Sequence, residues 1–299
     1  PATYTEAGGD YLGFDQAVHD SGDSTYYTEL SLWDTFRTEH PLLILLAPDR
    51  QRDMLISLQR MLEQGGGLPK WALHTGDTGS MIGTPVDQVI AGSYLKGIRG
   101  YDVEVMLDEM IAHASAWDMP GHRSCMEEYL DLGYVAMDGD CDKGTSRTLE
   151  FAYNDFAVAQ LAAALGRTTE ADTLYEQSLS YTNLWSDETQ FFTGRMTDGS
   201  FNPDFDPDSF NSPDFCESSA WQYLWHVQHD VEGLAGLMGG PEVLAERLDG
   251  LFEATIELQE ELMEGVPSYY YWHGNEPDMH AAYLFDQVGR PDLTQKWVR

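Results

Sequence analysis

The sequence predicts an all-α fold in which paired helices surround a central pit, an α/α toroid. Three observations predict it. Apolar residues recur at three- and four-residue spacing in ten separate runs. Long loops rich in Gly, Pro and Asp separate these runs. Nothing reads as a long β meander or an alternating βαβ array. With 299 residues, 42% hydrophobic and 12% aromatic, the chain can bury a sizeable core. No internal linker stands out, so residues 1–299 read as one domain. No exact repeat is present, and the toroid rests on helix pairing alone.

The first thirty residues are rich in Gly, Asp, Ser, Thr and Tyr and read as loops with room for a hairpin. Helical runs follow at 32–46 and 49–64. Pro48-Asp49 starts the second, and Gly65-Gly66-Gly67 ends it. Further runs cover 85–96, 102–116, 124–131, 148–165, 168–183, 219–227, 241–263 and 277–288. The loops between are 66–83, 117–123, 133–147, 186–216 and 264–276. In a toroid, functional groups belong on such loops and on the helix ends over the pit.

The chain carries 51 acidic against 16 basic residues, a net charge of −35. That field repels nucleic acid and anionic membranes and attracts cations. Most of it reads as a solvated acidic coat of the kind suited to salty surroundings. Three cysteines, Cys125, Cys141 and Cys216, with no CxxC motif give neither a disulfide framework nor a zinc site. The longest apolar run, Leu42 to Ala47, is far too short to span a membrane. The chain begins at Pro1 without a signal peptide and stops at Arg299 within an apparent helix, so both ends are expected to continue into further polypeptide.

Three segments carry chemistry. Ser31-Leu-Trp-Asp-Thr-Phe-Arg37, followed by His40-Pro-Leu42, sets Trp33, Asp34 and Arg37 at a helix start. Asp34 can accept sugar hydroxyls beside the Trp33 ring, or simply cap the helix. Phe215-Cys-Glu-Ser-Ser-Ala-Trp-Gln-Tyr223 places Glu217 between aromatic residues at a loop-to-helix junction. A glutamate held against aromatics resists ionisation and can serve as a general acid; a helix-terminal glutamate bonded to backbone amides is the plain alternative. Tyr269-Tyr-Tyr-Trp-His-Gly-Asn-Glu-Pro-Asp-Met-His280 combines aromatics, a turn, an amide and two carboxylates, oxygen chemistry that suits calcium. Glu276 and Asp278 could equally cap a helix after Pro277. There is no zinc spacing, nucleophile elbow, P-loop or dinucleotide fingerprint.

Taken together, these segments resemble glycoside hydrolase family 92, the calcium-dependent exo-acting α-mannosidases. Leu68-Pro-Lys-Trp71, Met81-Ile-Gly83, Lys96-Gly97, Tyr129, Gly133-Tyr-Val135, Thr148-Leu-Glu-Phe-Ala-Tyr153 with Asp155, His229-Asp230 and Ala282-Tyr-Leu-Phe285 extend the resemblance, in the family's order, across nearly the whole chain.

The resemblance implies most of an (α/α)6 catalytic domain, with a β-sandwich domain expected upstream. It implies hydrolysis of terminal α-linked mannose with inversion. Glu217 falls at the family's general acid, Trp33 and Asp34 at the residues holding the terminal mannose, and Asn275 and Glu276 at the Ca²⁺ site. Arg37, Trp272 and His273 are the further expected substrate contacts. The implied partners are a mannose-containing glycan and the remainder of the same polypeptide, with no nucleic acid and no membrane span. The implied place of action is secreted, periplasmic or at the cell surface. The family's Asn-Asp-Asp general-base motif is absent and is expected beyond Arg299. Tyr270, Tyr271, Trp272 and His273 stand where α-1,2-specific members carry a His-Glu pair, and Cys216-Glu-Ser-Ser219 replaces the commoner Glu-Gly-Asn, so the linkage is open. A sugar-binding protein without activity, or another toroidal glycosidase, is the competing reading.

Overall fold

The computed structural model describes residues 1–115, 123–261 and 269–299. Most of the expected 117–123 loop, the end of the 241–263 helix and the start of the 264–276 loop lie outside the described residues. Helices dominate, and the strands that accompany them are two or three residues long. The chain divides into two compact units, one formed by Pro1–Glu127 with Asn154–Leu179 and the other by Glu128–Tyr153 with Ser180–Arg299.

In the first unit, Asp10–Leu12 pairs antiparallel with Val18–Asp20, which is the hairpin expected near the N-terminus. The helical run expected at 32–46 is broken into Leu32–Thr35 and Glu39–Leu46. Glu39–Leu46 buries His40 and leaves Leu42, Leu45 and Leu46 exposed. Helix Pro48–Gly65 has proline in its first turn and stops at Gly66, whose φ of 78° suits glycine and whose N–H returns to the Leu62 carbonyl. Met54, Leu55, Leu58, Met61 and Leu62 form its buried stripe. Val86–Leu95 and Val103–Ser115 supply Val89, Ile90, Met106, Leu107 and Met110 to the same core.

That core holds a charge. Arg123 is fully buried, as are Asp87 and Asp155. Its guanidinium donates to Asp155 Oδ1, to Asp87 Oδ2 at 3.2 Å and to Thr84 Oγ1 at 3.0 Å. The Thr84 hydroxyl in turn donates to Asp87 Oδ2 at 2.5 Å. Asn154 closes the group: its Oδ1 accepts the Thr84 N–H at 3.0 Å, and its Nδ2 donates to the Thr84 carbonyl and to Gln88 Oε1. Burial pushes the Asp87 carboxyl up, against the opposing pull of Arg123.

In the second unit, the helix beginning at Gly144 starts four residues before the expected 148. A side chain at Gly144 would stand 2.5 Å from the Val135 carbonyl oxygen, so only glycine admits this close approach. Val231–Met238 is a helix that the sequence pattern did not announce; Asp230 caps it by accepting the Gly233 N–H. Its buried face, Val231, Leu234, Ala235 and Met238, packs with Pro241–Glu261. The run expected at 277–288 is only a 3-10 turn, Ala281–Tyr283, and one turn of helix, Leu284–Gln287, with Pro291–Val298 following. Loop 186–216 is tied down by Arg195, which donates to the Asn183 and Gly199 carbonyls and stacks over Tyr134 and Phe201. Cys125 and Cys141 are in disulfide form, the bridge that the sequence left open, and Cys216 is a free thiol. No described helix is long and apolar enough to cross a membrane.

The Arg123 group makes a stability prediction. Arg123→Ala strands two buried carboxylates and should lower the unfolding free energy by about 3–5 kcal/mol. Denaturant unfolding measures it; a loss below ~1 kcal/mol would mean that these carboxylates do not depend on the guanidinium.

Candidate active site

The acid-bearing segment is built around a short helix, Ala220–Tyr223. Its cap is Ser219, in a reciprocal arrangement: Ser219 Oγ accepts the Gln222 N–H, and the Gln222 side chain accepts the Ser219 N–H at 3.2 Å. Glu217 lies two residues before the cap, so it does not serve the helix terminus. Its φ is +51°, in the left-handed region, and its side chain is exposed. A non-glycine residue there costs on the order of 1–2 kcal/mol, which the surroundings must offset. Two asparagines do so. The Glu217 N–H donates to Asn211 Oδ1 at 3.1 Å, and the Glu217 carbonyl accepts from Asn275 Nδ2 at 2.6 Å.

The expected aromatic enclosure of Glu217 is therefore not what the structure holds. Phe215 is buried and stacks on Tyr223 with centroids 5.9 Å apart. Trp221 meets Phe191 and Tyr270 edge-on at 4.7 and 5.2 Å, and its indole N–H donates to Asp208 Oδ1. The rings of Phe215 and Trp221 are thus engaged with other aromatics, while Glu217 is exposed.

The Tyr269–His280 segment is stitched to this one. Besides the Asn275 bond, Ser219 Oγ donates to the Tyr269 carbonyl, and Gln222 Nε2 donates to the Tyr270 carbonyl at 2.7 Å. Gly274 is required by Trp272: a Cβ at 274 would lie 2.6 Å from the indole nitrogen. The turn is held by Asn275 N–H on the Trp272 carbonyl and by Trp272 N–H on Asp278 Oδ2. Asp278 is fully buried and Asn275 nearly so, while Glu276 is half-buried. His273 is exposed and shares a 2.6 Å hydrogen bond with the Tyr271 hydroxyl.

Asn275 Nδ2 is committed to Glu217, which leaves Oδ1 as its atom for a cation. With the Glu276 carboxylate and the turn's carbonyls it offers hard oxygen donors of the type calcium takes. Among the described residues, however, no three His, Cys, Asp or Glu side chains cluster at metal-binding distance. Calcium needs roughly six to eight oxygens. By donor chemistry alone, Asn275 and Glu276 are compatible with part of a calcium shell, and further oxygens would be needed to complete it.

Trp33, Asp34 and Arg37 form a separate group in the first unit. Trp33 is only 1% exposed. The Arg37 guanidinium stacks over it at 4.7 Å and over Phe36 at 4.6 Å, and Arg37 Nε donates to the Trp33 carbonyl. Asp34 sits in the first turn of Leu32–Thr35, where no side-chain cap bond forms. Burial pushes its carboxyl up; a hydrogen bond from Ser31 and the charge of Arg37 oppose the shift. His40 is buried, with Nδ1 bonded to Gln51 Oε1 at 2.9 Å, and burial holds its pKa down. Two further carboxylates in the family-like segments prove to be interior: Asp155 on Arg123, and Glu150 beside Tyr223 and His226. Sequence reasoning missed Asn211. Its one signal was an asparagine in a Pro-rich loop, the residue type that tolerates a left-handed backbone.

The Glycosyl hydrolase family 92 catalytic domain model matches residues 1–299. The chain belongs to this family. Among solved structures, it is 32% identical to the family 92 α-mannosidase BT3965 of Bacteroides thetaiotaomicron, with a TM-score of 0.88 over 100% of this chain and 40% of that one. It is also 32% identical to the inverting mannosidase BT2199 of the same organism, TM-score 0.88, over 99% of this chain and 42% of that one. A secreted glycosidase of Arthroderma benhamiae is 29% identical over 248 residues, 72% of this chain and 30% of that protein. The chain thus spans well under half the length of these relatives.

Cys216 allows a test of how this family 92 segment is packed. Burial, reinforced by the neighbouring Glu217 charge, pushes its thiol up to about 11. Alkylation at pH 8 should run roughly 10-fold or more slower in the native protein than in the unfolded chain, because little thiolate forms. Equal rates would show that the segment before Glu217 is open to solvent.

Proposed function

We propose that this chain is the larger part of the catalytic domain of an inverting, calcium-dependent exo-α-mannosidase, with Glu217 as general acid. Its helices are read as part of an (α/α)6 toroid. The observation that carries the reading is the treatment of Glu217: an exposed carboxylate on a strained backbone, held from both sides and bonded to the Asn275 turn. Strain of this kind persists where surrounding contacts enforce it, and it gathers at sites of function.

In this mechanism the Glu217 carboxyl donates its proton to the glycosidic oxygen as the bond to the anomeric carbon breaks. A water, deprotonated by a carboxylate expected beyond Arg299, attacks the opposite face. Acid and base in inverting enzymes stand roughly 6.5–9.5 Å apart, which leaves room for that water. Asn275 Oδ1 and Glu276 are assigned to calcium, which when bound would supply positive charge to the sugar hydroxyls. Trp33, Asp34 and Arg37 are assigned to the terminal mannose, and Trp272 and His273 to the sugar beyond it. Such an enzyme would work on glycans outside the cytoplasm.

Three tests follow from the assignments. Glu217→Gln in the full-length enzyme should reduce turnover of natural mannosides by ~10²–10⁴-fold and affect aryl mannosides with acidic phenol leaving groups far less, because those depart unprotonated. An equal loss on both substrates defeats the acid assignment, and unchanged turnover on both puts the acid elsewhere, with Asp34, Asp155 and Glu150 the next candidates; no turnover by the unmodified full-length protein would favour a sugar-binding protein without activity. Exhaustive EDTA treatment should abolish hydrolysis and added calcium restore it; full activity after chelation would remove Asn275 and Glu276 from the metal. In a panel of mannobioses, the bulky Tyr270–His273 stretch should disfavour the α-1,2 isomer, and a strong α-1,2 preference would contradict its place beside the leaving sugar.

A further inference from the structure

Three non-glycine residues near the proposed acid share the left-handed backbone: Lys143 at φ +61°, Asn211 at +53° and Glu217 at +51°. They form a connected chain of contacts. Asn211 closes the loop that carries Glu217 from both its ends: its N–H donates to the Ser218 carbonyl at 2.7 Å, and its Oδ1 accepts the Glu217 N–H at 3.1 Å. Lys143 holds Asn211 in turn. Its ammonium donates to Asn211 Oδ1 at 2.9 Å, to the Asn211 carbonyl at 3.1 Å and to the Ser212 carbonyl at 2.7 Å. The Lys143 N–H adds a bond to the Pro213 carbonyl at 2.8 Å.

The choice of partners is informative. An ammonium has three donors, and all three are spent on neutral oxygens of residues 211 and 212. The chain has 51 acidic residues, and Arg52, Arg123, Arg147, Arg167, Arg290 and Lys296 all reach carboxylates. Among the described ion pairs Lys143 has none. It acts as a geometric pin for one loop. Asn211 Oδ1 has two lone pairs, one for the pin and one for the acid's backbone.

We propose that Asn211 and Lys143 are positioning residues for Glu217: through its N–H they hold the left-handed backbone that aims its carboxyl, without touching the sugar. The proposal rests on Glu217 being the acid. A general acid must lie within hydrogen-bond reach of the oxygen it protonates. A misplacement of about 1 Å can cost on the order of 10²-fold. Loss of the Asn211 oxygen should therefore mimic a partial loss of the acid, and only on substrates that need one.

The test compares variants of the full-length enzyme on a natural mannoside and on an aryl mannoside with an acidic phenol leaving group. Asn211→Leu should lower kcat on the natural substrate by roughly 10–100-fold, with KM within about three-fold, and leave the aryl substrate within about three-fold. Asn211→Asp keeps an acceptor and tolerates the left-handed backbone, so it should recover most of the loss. Asn211→Gly keeps the backbone accessible but removes the oxygen, and should behave like the leucine variant. Lys143→Met should show the same substrate split at smaller size. If Asn211→Leu fails to fold, the glycine and methionine variants carry the comparison.

Equal losses on both substrates, a change confined to KM, or no change in the glycine variant would overturn the positioning role. Glu217→Gln assayed alongside separates the two assignments. If it shows the substrate split and the Asn211 variants do not, the acid stands and the positioning role falls. If it shows no split, the acid assignment falls, and the positioning role with it.

Discussion

Burying Arg123 obliges separate stretches of the first unit to meet. A guanidinium out of water must find acceptors for its donors, and they come from Thr84 and Asp87 near one helix start and from Asp155 in the long helix beyond. Two carboxyl groups share one guanidinium, burial pushes the Asp87 carboxyl up, and the Thr84 hydroxyl and Asn154 amide supply additional polar contacts. Replacing such a group by apolar residues can leave stability unchanged or improve it.

The second unit applies the same logic to a loop. Loop carbonyls lack secondary-structure partners, and here side chains take their place: Ser219 and Gln222 donate to the carbonyls of Tyr269 and Tyr270, and Asn275 donates to that of Glu217. The segment carrying the carboxylate and the segment carrying oxygen donors are thereby one hydrogen-bonded piece. On the proposed assignments, a cation on Asn275 Oδ1 would pull on the same amide whose nitrogen holds the Glu217 carbonyl, and would couple metal occupancy to the orientation of the acid.

Much of the helical pattern was legible from local signals. Pro48 and Gly66 bracket their helix as proline and glycine commonly do. The exceptions have physical causes. Val231–Met238 was hidden because Gly233 and Gly236 weaken the helical signal, while burial of Leu234 and Met238 against the next helix compensates. The start at Gly144 was hidden because glycine reads as a breaker, yet its missing side chain is what lets the helix pass the Val135 carbonyl. Periodicity identified the Leu42–Leu46 run as helical but could not say that Leu42, Leu45 and Leu46 stay exposed. For the site, motif order singled out Glu217 and the Asn275 turn, which the structure joins by a hydrogen bond, whereas the expected burial of Glu217 among aromatics is not seen and its side chain is exposed. Neighbours in sequence, Phe215 and Trp221, are not neighbours in packing once the chain turns left-handed. Asn211 and Lys143 were invisible because their role lies in dihedral angles and long-range contacts, which no residue spacing encodes.

The left-handed backbone at Glu217 also sets the evolutionary fate of the site. At that position the residue proposed as the acid is poorly suited to the backbone, and glycine or asparagine would relax the chain while deleting the carboxyl. Stability and activity therefore pull in opposite directions at this one codon. A lineage released from selection for hydrolysis could lose the acid with no penalty to its backbone, retaining the sugar-facing surface around it. On the proposed assignment, glutamate at this position would mark a hydrolase, and glycine or asparagine there would mark a sugar-binding descendant of the same scaffold.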